Sequence, residues 1–87
     1  MVGTAMSYWI YILQSKKDQK YYVGLTSDVP KRLTYHNAGK VRSTKHRIPF
    51  ELLCKEAYAT RTEARKREKF LKSYAGVGEK QRILRNL

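Results

Sequence analysis

The chain has 87 residues, 41% of them hydrophobic, and its 19 Lys and Arg outnumber seven Asp and Glu for a formal charge of +12. That length holds one small domain with a single core, and the hydrophobic content excludes global disorder. No apolar run reaches the ~20 residues of a bilayer span, and so large a positive excess points to a polyanionic partner, DNA first and RNA as the alternative, rather than a membrane surface.

Residues 1–7 read as a disordered lead and 8–87 as one domain. A single cysteine, Cys54, excludes an internal disulfide, and with only His36 and His46 beside it a zinc site of several soft ligands is out of reach. Cys54 lies in an apolar run and reads as a core residue of a protein kept in a reducing compartment, the cytoplasm.

Two β-rich runs, Tyr8–Leu13 and Lys20–Gly24, flank the polar segment Gln14–Gln19, the pattern of a hairpin. A turn centred on Lys16–Lys17, or a four-residue loop over Ser15–Asp18, sets Tyr11 directly opposite Tyr22 on one face. An odd-length loop would offset the pair. Facing phenols read either as cross-strand packing or as chemistry.

Asp28 is a natural N-cap and Pro30 suits a first turn, so a helix is expected from about Val29 to Asn37, ending at Gly39. Val29 and Leu33 form its inward stripe. Arg32 and His36, four apart, share the adjoining stripe, either as a solvated basic face or as a guanidinium and imidazole presented together. The segment Lys40–Pro49 has no apolar periodicity and reads as an exposed, mobile loop. Its Lys40, Arg42, Lys45, His46 and Arg47, together with Lys31 on the helix, are the candidate nucleic-acid contacts.

Phe50–Tyr58 alternates poorly but has the composition of a third strand. Thr60-Arg61-Thr62-Glu63 is a capping-box sequence opening a helix of about a dozen residues. Ala64, Leu71 and Ala75 fall on one stripe, and Glu68 completes it. A carboxylate on an inward stripe is costly unless paired. The other acidic residues have local duties: Asp18 in the turn, Asp28 and Glu63 at helix starts, Glu51 and Glu56 on the strand, Glu79 opening the last segment. Glu68 therefore reads as a salt-bridge partner of Arg32 or another cation, or as a metal-binding or acid–base group. One carboxylate suffices for magnesium when substrate phosphates complete the shell. Gly76-Val77-Gly78 is a connector, and Glu79–Leu87 forms a short helix with Ile83, Leu84 and Leu87 inward.

These elements, in this order, resemble the GIY-YIG nuclease superfamily. The first motif is Trp9-Ile10-Tyr11 and the second Tyr22-Val23-Gly24; Arg32, His36 and Glu68 stand at the family's arginine, histidine and glutamate. The chain is most similar to small stand-alone members with a GxxRSTKxRxP-like loop, here Gly39 to Pro49. It is also similar to the nuclease domains of the excinuclease C subunit and of GIY-YIG homing endonucleases. Leu25 stands where the excinuclease branch has lysine, and Asn86 is the sole candidate for the asparagine many members place beyond the glutamate helix.

The resemblance implies an α+β fold, a three-stranded antiparallel sheet flanked by about three helices. It implies an endonuclease using Mg2+ or Mn2+ on DNA, branched or nicked substrates included. Glu68 would hold the metal, Arg32 would stabilise the phosphate, and Tyr11 or Tyr22 with His36 would activate water, nearby cations depressing the phenol's pKa. The alternative is a nucleic-acid-binding module on a degenerate nuclease fold.

Overall fold

The computed structural model describes residues 7–87. Along β1 (Tyr8–Ser15), two sets of large apolar residues alternate: Tyr8, Ile10 and Ile12 point to one side, Trp9, Tyr11 and Leu13 to the other. Such a strand must be covered on both faces. It lies at the centre of a three-stranded antiparallel sheet, flanked by β2 (Tyr21–Thr26) and β3 (Phe50–Tyr58) in the order β2-β1-β3. The helices are α1 (Val29–Asn37), α2 (Arg61–Lys72) and α3 (Val77–Arg85), with 3-10 turns at Lys45–Arg47 and Tyr74–Gly76. The architecture is the expected α+β one. No helix among the described residues is long and apolar enough to cross a membrane.

Two clusters fill the two sides. Ile10, Ile12 and Val23 pack with Ala64 and Leu71 of α2, and Ile83 and Leu84 of α3 border them. Tyr11, Leu13 and Phe50 pack with Val29 of α1, with Trp9, Tyr22 and Leu33 at their margin. Cys54 borders the first cluster, and burial pushes its thiol up, as suits a core residue.

The hairpin register differs from the expected one. The loop is Lys16–Gln19, one residue later than either anticipated turn, with Ser15 N–H donating to the Lys20 carbonyl at 2.9 Å. Three hydrogen bonds hold it there, with the Ser15 hydroxyl accepting from the amides of Lys17 and Asp18 and the Asp18 carboxylate from Lys20 N–H, while Gln19 takes a positive φ. Tyr11 consequently faces Gly24, and Tyr22 faces Leu13. A shift of two in the paired residue numbers preserves the face. The tyrosines remain diagonal neighbours on one side of the sheet, their ring centroids 6.3 Å apart.

A β-bulge explains the poor alternation of β3. Its pairing with β1 shifts between Ile12–Cys54 and Leu13–Leu52, leaving Leu53 extra. Phe50 and Leu52 therefore join the α1 side, and Cys54 and Tyr58 join the α2 side, although all four numbers are even.

The helix signals hold, with changes at the ends. Asp28 accepts from Lys31 N–H at 3.0 Å, and Gly39 with φ +75° closes α1 in a conformation other side chains rarely adopt. Thr60 caps α2 through Glu63 N–H, while the Glu63 carboxylate takes the Thr60 hydroxyl instead of its amide. α2 stops at Lys72, so Ala75 leaves the stripe and is exposed. α3 begins two residues early, at Val77, and Leu87 is exposed instead of inward. Apart from Ser7, the expected N-terminal lead lies outside the described residues.

The Lys40–Pro49 segment is anchored, contrary to the expectation of a mobile loop. Thr44 is buried, Arg47 pairs with Asp18 at 2.8 Å, and the Ser15 hydroxyl donates to the Arg47 carbonyl. Asn37 at the end of α1 holds Phe50 through both its backbone groups, at 2.7 and 3.0 Å. A polar sequence hid these ties because each partner is distant along the chain.

Candidate functional site

α1 and α2 cover opposite faces of the sheet, so side chains from both meet only by passing an edge. β2 is that edge. Gly24 makes the passage: a methyl group placed there would overlap the Cζ and hydroxyl of Tyr11, so the ring of Tyr11 lies across the bare backbone of β2. Tyr22, two residues earlier, stands on the same side, and the ammonium of Lys72 from α2 lies 5.5 Å above its ring. Glu68 lies one turn before Lys72 on α2, and its charge is near enough to Tyr11 to oppose ionisation of the phenol.

A chain of polar contacts runs through the α1 side. The Tyr11 hydroxyl is 3.0 Å from His36 Nε2 and accepts from Arg32 Nε at 3.4 Å. His36 Nδ1 is 2.8 Å from Thr44 Oγ1, which in turn reaches the Val41 carbonyl at 3.5 Å. Tyr11, His36 and Thr44 are all buried, which excludes the solvated reading of His36. One tautomer satisfies this whole chain: Thr44 gives its single proton to the Val41 carbonyl, so Nδ1–H donates to Thr44 and Nε2 accepts the Tyr11 proton; the other tautomer forfeits the Val41 bond.

Burial, then the charge of Arg32, lowers the His36 pKa to about 4, so the imidazole is neutral at pH 7. The Tyr11 pKa is raised, chiefly by burial, against the opposing hydrogen bond from Arg32. Arg32 by itself does not bring the Tyr11 phenol below its ordinary value, because desolvation outweighs one long bond to the guanidinium.

Arg32 borders an open groove of roughly 530 Å³ with Thr26, Ser27, Asp28, Lys31 and Tyr35. No carboxylate among the described residues pairs with it. Glu68 pairs with Lys72 at 3.1 Å, its side chain 15% exposed, so of the anticipated partners, Arg32 or another cation, it is another cation one turn along the same helix that holds it.

A family model described as the GIY-YIG catalytic domain matches residues 7–78. The chain belongs to the GIY-YIG family. It is 37% identical over 65 residues to a UPF0213 protein of Streptococcus pneumoniae, covering 74% of this chain and 65% of that one. It is 36% identical to a UPF0213 protein of Haloquadratum walsbyi over 85% of this chain and 83% of that one. It is 37% identical to the UPF0213 protein YazA of Bacillus subtilis over 76% and 67%. The solution NMR structure of a UPF0213 protein from Bacillus halodurans superposes with a TM-score of 0.56 at 33% identity, covering 90% of this chain and 83% of that one. The GIY-YIG domain suggests nuclease activity and a nucleic-acid substrate, and GIY-YIG nucleases in general depend on divalent metal.

Within this GIY-YIG fold, the residues fit a metal held in one way. Among the described residues no group of three His, Cys, Asp or Glu side chains gathers to form a protein cage. A single half-buried carboxylate already facing an ammonium does suit a hard divalent cation whose remaining ligands are water and substrate phosphate. Of the other anticipated residues, Lys31, Lys40, Arg42, Lys45 and His46 are exposed. Lys31 is in the groove beside Arg32, and Lys40 lies over the Tyr35 ring at 5.5 Å. Arg47 is part-buried, pairs with Asp18 at 2.8 Å and stacks on Phe50 at 5.4 Å. Asn86 sits at the C-cap of α3 and is exposed, without a side-chain contact to the site residues among the described residues.

Two participants escaped the sequence reading. Thr44 was lost in a basic loop, although it stands eight residues beyond His36 in the Arg42-Ser43-Thr44-Lys45 stretch that carried the family likeness. Lys72 lies four residues after Glu68, a spacing that marks a helical ion pair and was the available signal.

Proposed function

We propose that this protein is a divalent-metal-dependent endonuclease acting on DNA at the β2 edge, branched and nicked forms included. The observation that carries the reading is the buried Tyr11–His36 contact with Arg32 on the phenol, set across Gly24 at the β2 edge and near enough to Glu68 of the opposite helix for that carboxylate's charge to oppose ionisation of Tyr11. In this reading the Arg32 guanidinium holds a non-bridging oxygen of the scissile phosphate, and Lys31 in the same groove holds its neighbour. Glu68 would hold the cation, which when bound lowers the pKa of a coordinated water and offsets charge on the phosphate.

Tyr11 and His36 handle the proton. With Nδ1–H on Thr44, the neutral Nε2 is the acceptor for the Tyr11 hydroxyl proton, leaving the Tyr11 oxygen free to take one from attacking water. A raised phenol pKa suits this relay better than a standing phenolate, since Tyr11 never has to carry charge alone. Tyr22 packs edge-on against His36, ring centroids 5.1 Å apart, and walls the site on the Lys72 side.

The test uses wild type and Glu68→Gln with branched, nicked and linear DNA, in magnesium, manganese or EDTA. Metal-dependent cleavage that disappears in the variant while binding persists is the expected result. Binding by wild type without cleavage of any substrate refutes hydrolysis and leaves a nucleic-acid-binding module. Competition between RNA and DNA of matched length decides the preferred polymer.

A further inference from the structure

The hydrolytic reading uses one flank of α2 and leaves its exposed face unexplained. Arg61, Arg65 and Lys69 follow each other at i, i+4 and i+8, forming one stripe along the helix, and Lys66 lies beside it. All four are exposed, and with Thr62 they line a single open concavity of roughly 330 Å³. None makes an ion pair among the described residues, whereas Arg47, Arg67, Lys72 and Arg82 all do. Unpaired cations brought this close repel one another, a cost that a polyanion would reverse.

The direction of the stripe gives it meaning. It continues from Lys69 to Lys72, whose ammonium is bonded to Glu68 and lies over Tyr22. The cationic face of α2 therefore begins at the candidate site and leads away from it. From residue 72 back to residue 61 the helix rises about 16 Å, the axial length of about five phosphates on one strand of a duplex. A lipid surface would need bulky apolar side chains among the cations, and this concavity offers only Thr62.

We infer that the Arg61–Arg65–Lys66–Lys69 face of α2 is a phosphate track that binds the DNA arm on one side of the scissile bond. Lys31, Lys40, Arg42 and Lys45 serve the other side. Only the starting point of the track rests on the hydrolytic reading. Its binding of DNA backbone does not.

The test is fluorescence anisotropy with a labelled linear duplex in EDTA, over a series of salt concentrations. Arg61→Gln/Arg65→Gln/Lys69→Gln is compared with Lys16→Gln/Lys17→Gln/Lys20→Gln, which removes the same charge from the exposed hairpin loop and the adjoining start of β2. The α2 triple variant should show a salt slope shallower by about two to three, at ~0.9 per lost phosphate contact, and affinity at least ~10-fold weaker at low salt. The hairpin variant should change its slope by less than about one. Equal losses in both variants, or an unchanged slope in the α2 variant, overturn the track. Because no metal is present, the two ideas fail separately: an α2-specific slope change in a protein that never cleaves keeps the track and refutes hydrolysis, and cleavage with an unchanged slope does the reverse.

Discussion

Protonation of His36 is the perturbation with the clearest thermodynamic signature. An unfolded chain titrates this imidazole at 6.5, whereas the native fold holds it at about 4. Between those values the unfolded state binds more protons than the native one, so stability falls as pH falls. The contribution is fully present above pH 6.5, declines through the window from 6.5 to 4, and is gone below it. At ~1.4 kcal/mol per pH unit, the gap between 6.5 and about 4 comes to about 3 kcal/mol, a large share of the ~5–15 kcal/mol that holds a small domain.

Urea denaturation at half-unit steps from pH 7.5 to 4.5, on wild type and His36→Asn, isolates this effect as a difference. The lowered carboxylates Asp18 and Glu79, both at about 2, act only below pH 4.5 and are common to both proteins. Wild type should lose stability steeply below pH 6.5 while the variant, less stable at pH 7.5, stays nearly level. A flat wild-type profile, or the same slope in both proteins, refutes the assignment of His36 as a buried neutral imidazole.

Three further outcomes follow from the geometry. Gly24→Ala should destabilise the fold by ~1–3 kcal/mol because its methyl meets Tyr11, and the same change in a Tyr11→Leu background should cost less than ~0.5 kcal/mol, a coupling read by a double-mutant denaturation cycle. Lys72→Met removes the ammonium that competes for Glu68 and should tighten Mn2+ binding several-fold by calorimetry, an effect abolished in Lys72→Met/Glu68→Gln. Arg67→Met strips the guanidinium from Glu56 and Glu79, which it bonds at 3.0 and 2.8 Å, and should lower stability by ~2 kcal/mol in thermal or urea melts while leaving DNA binding in EDTA near wild type.

Local chemistry was legible without a structure. The caps at Asp28 and Thr60, the breaker at Gly39, the three strands and the bounds of α1 follow from residue types within a few positions of each other. The candidate set Tyr11, Tyr22, Arg32, His36 and Glu68 came from the ordered family motifs, helped by one inward carboxylate on a basic helix. Elimination by local duty misjudged Glu56, however. It sits under α2, held by Arg67 at 3.0 and 3.1 Å and by the Tyr58 hydroxyl at 2.9 Å, and Arg67 also bonds Glu79 of α3, a network spread over three elements.

What the sequence by itself determined was the alphabet of the site and the elements that carry it. Tertiary structure decided how those elements meet. Hairpin register depended on which four-residue loop Ser15 and Asp18 brace, and those braces lie within the folded turn. The bulge at Leu53 reversed the faces of β3, because packing on both sides of β1 outweighs strict alternation. Passage of Tyr11 over Gly24 and the hold of Thr44 on His36 both arise between residues far apart in the chain. Such contacts depend on the global fold, and no local spacing encodes them.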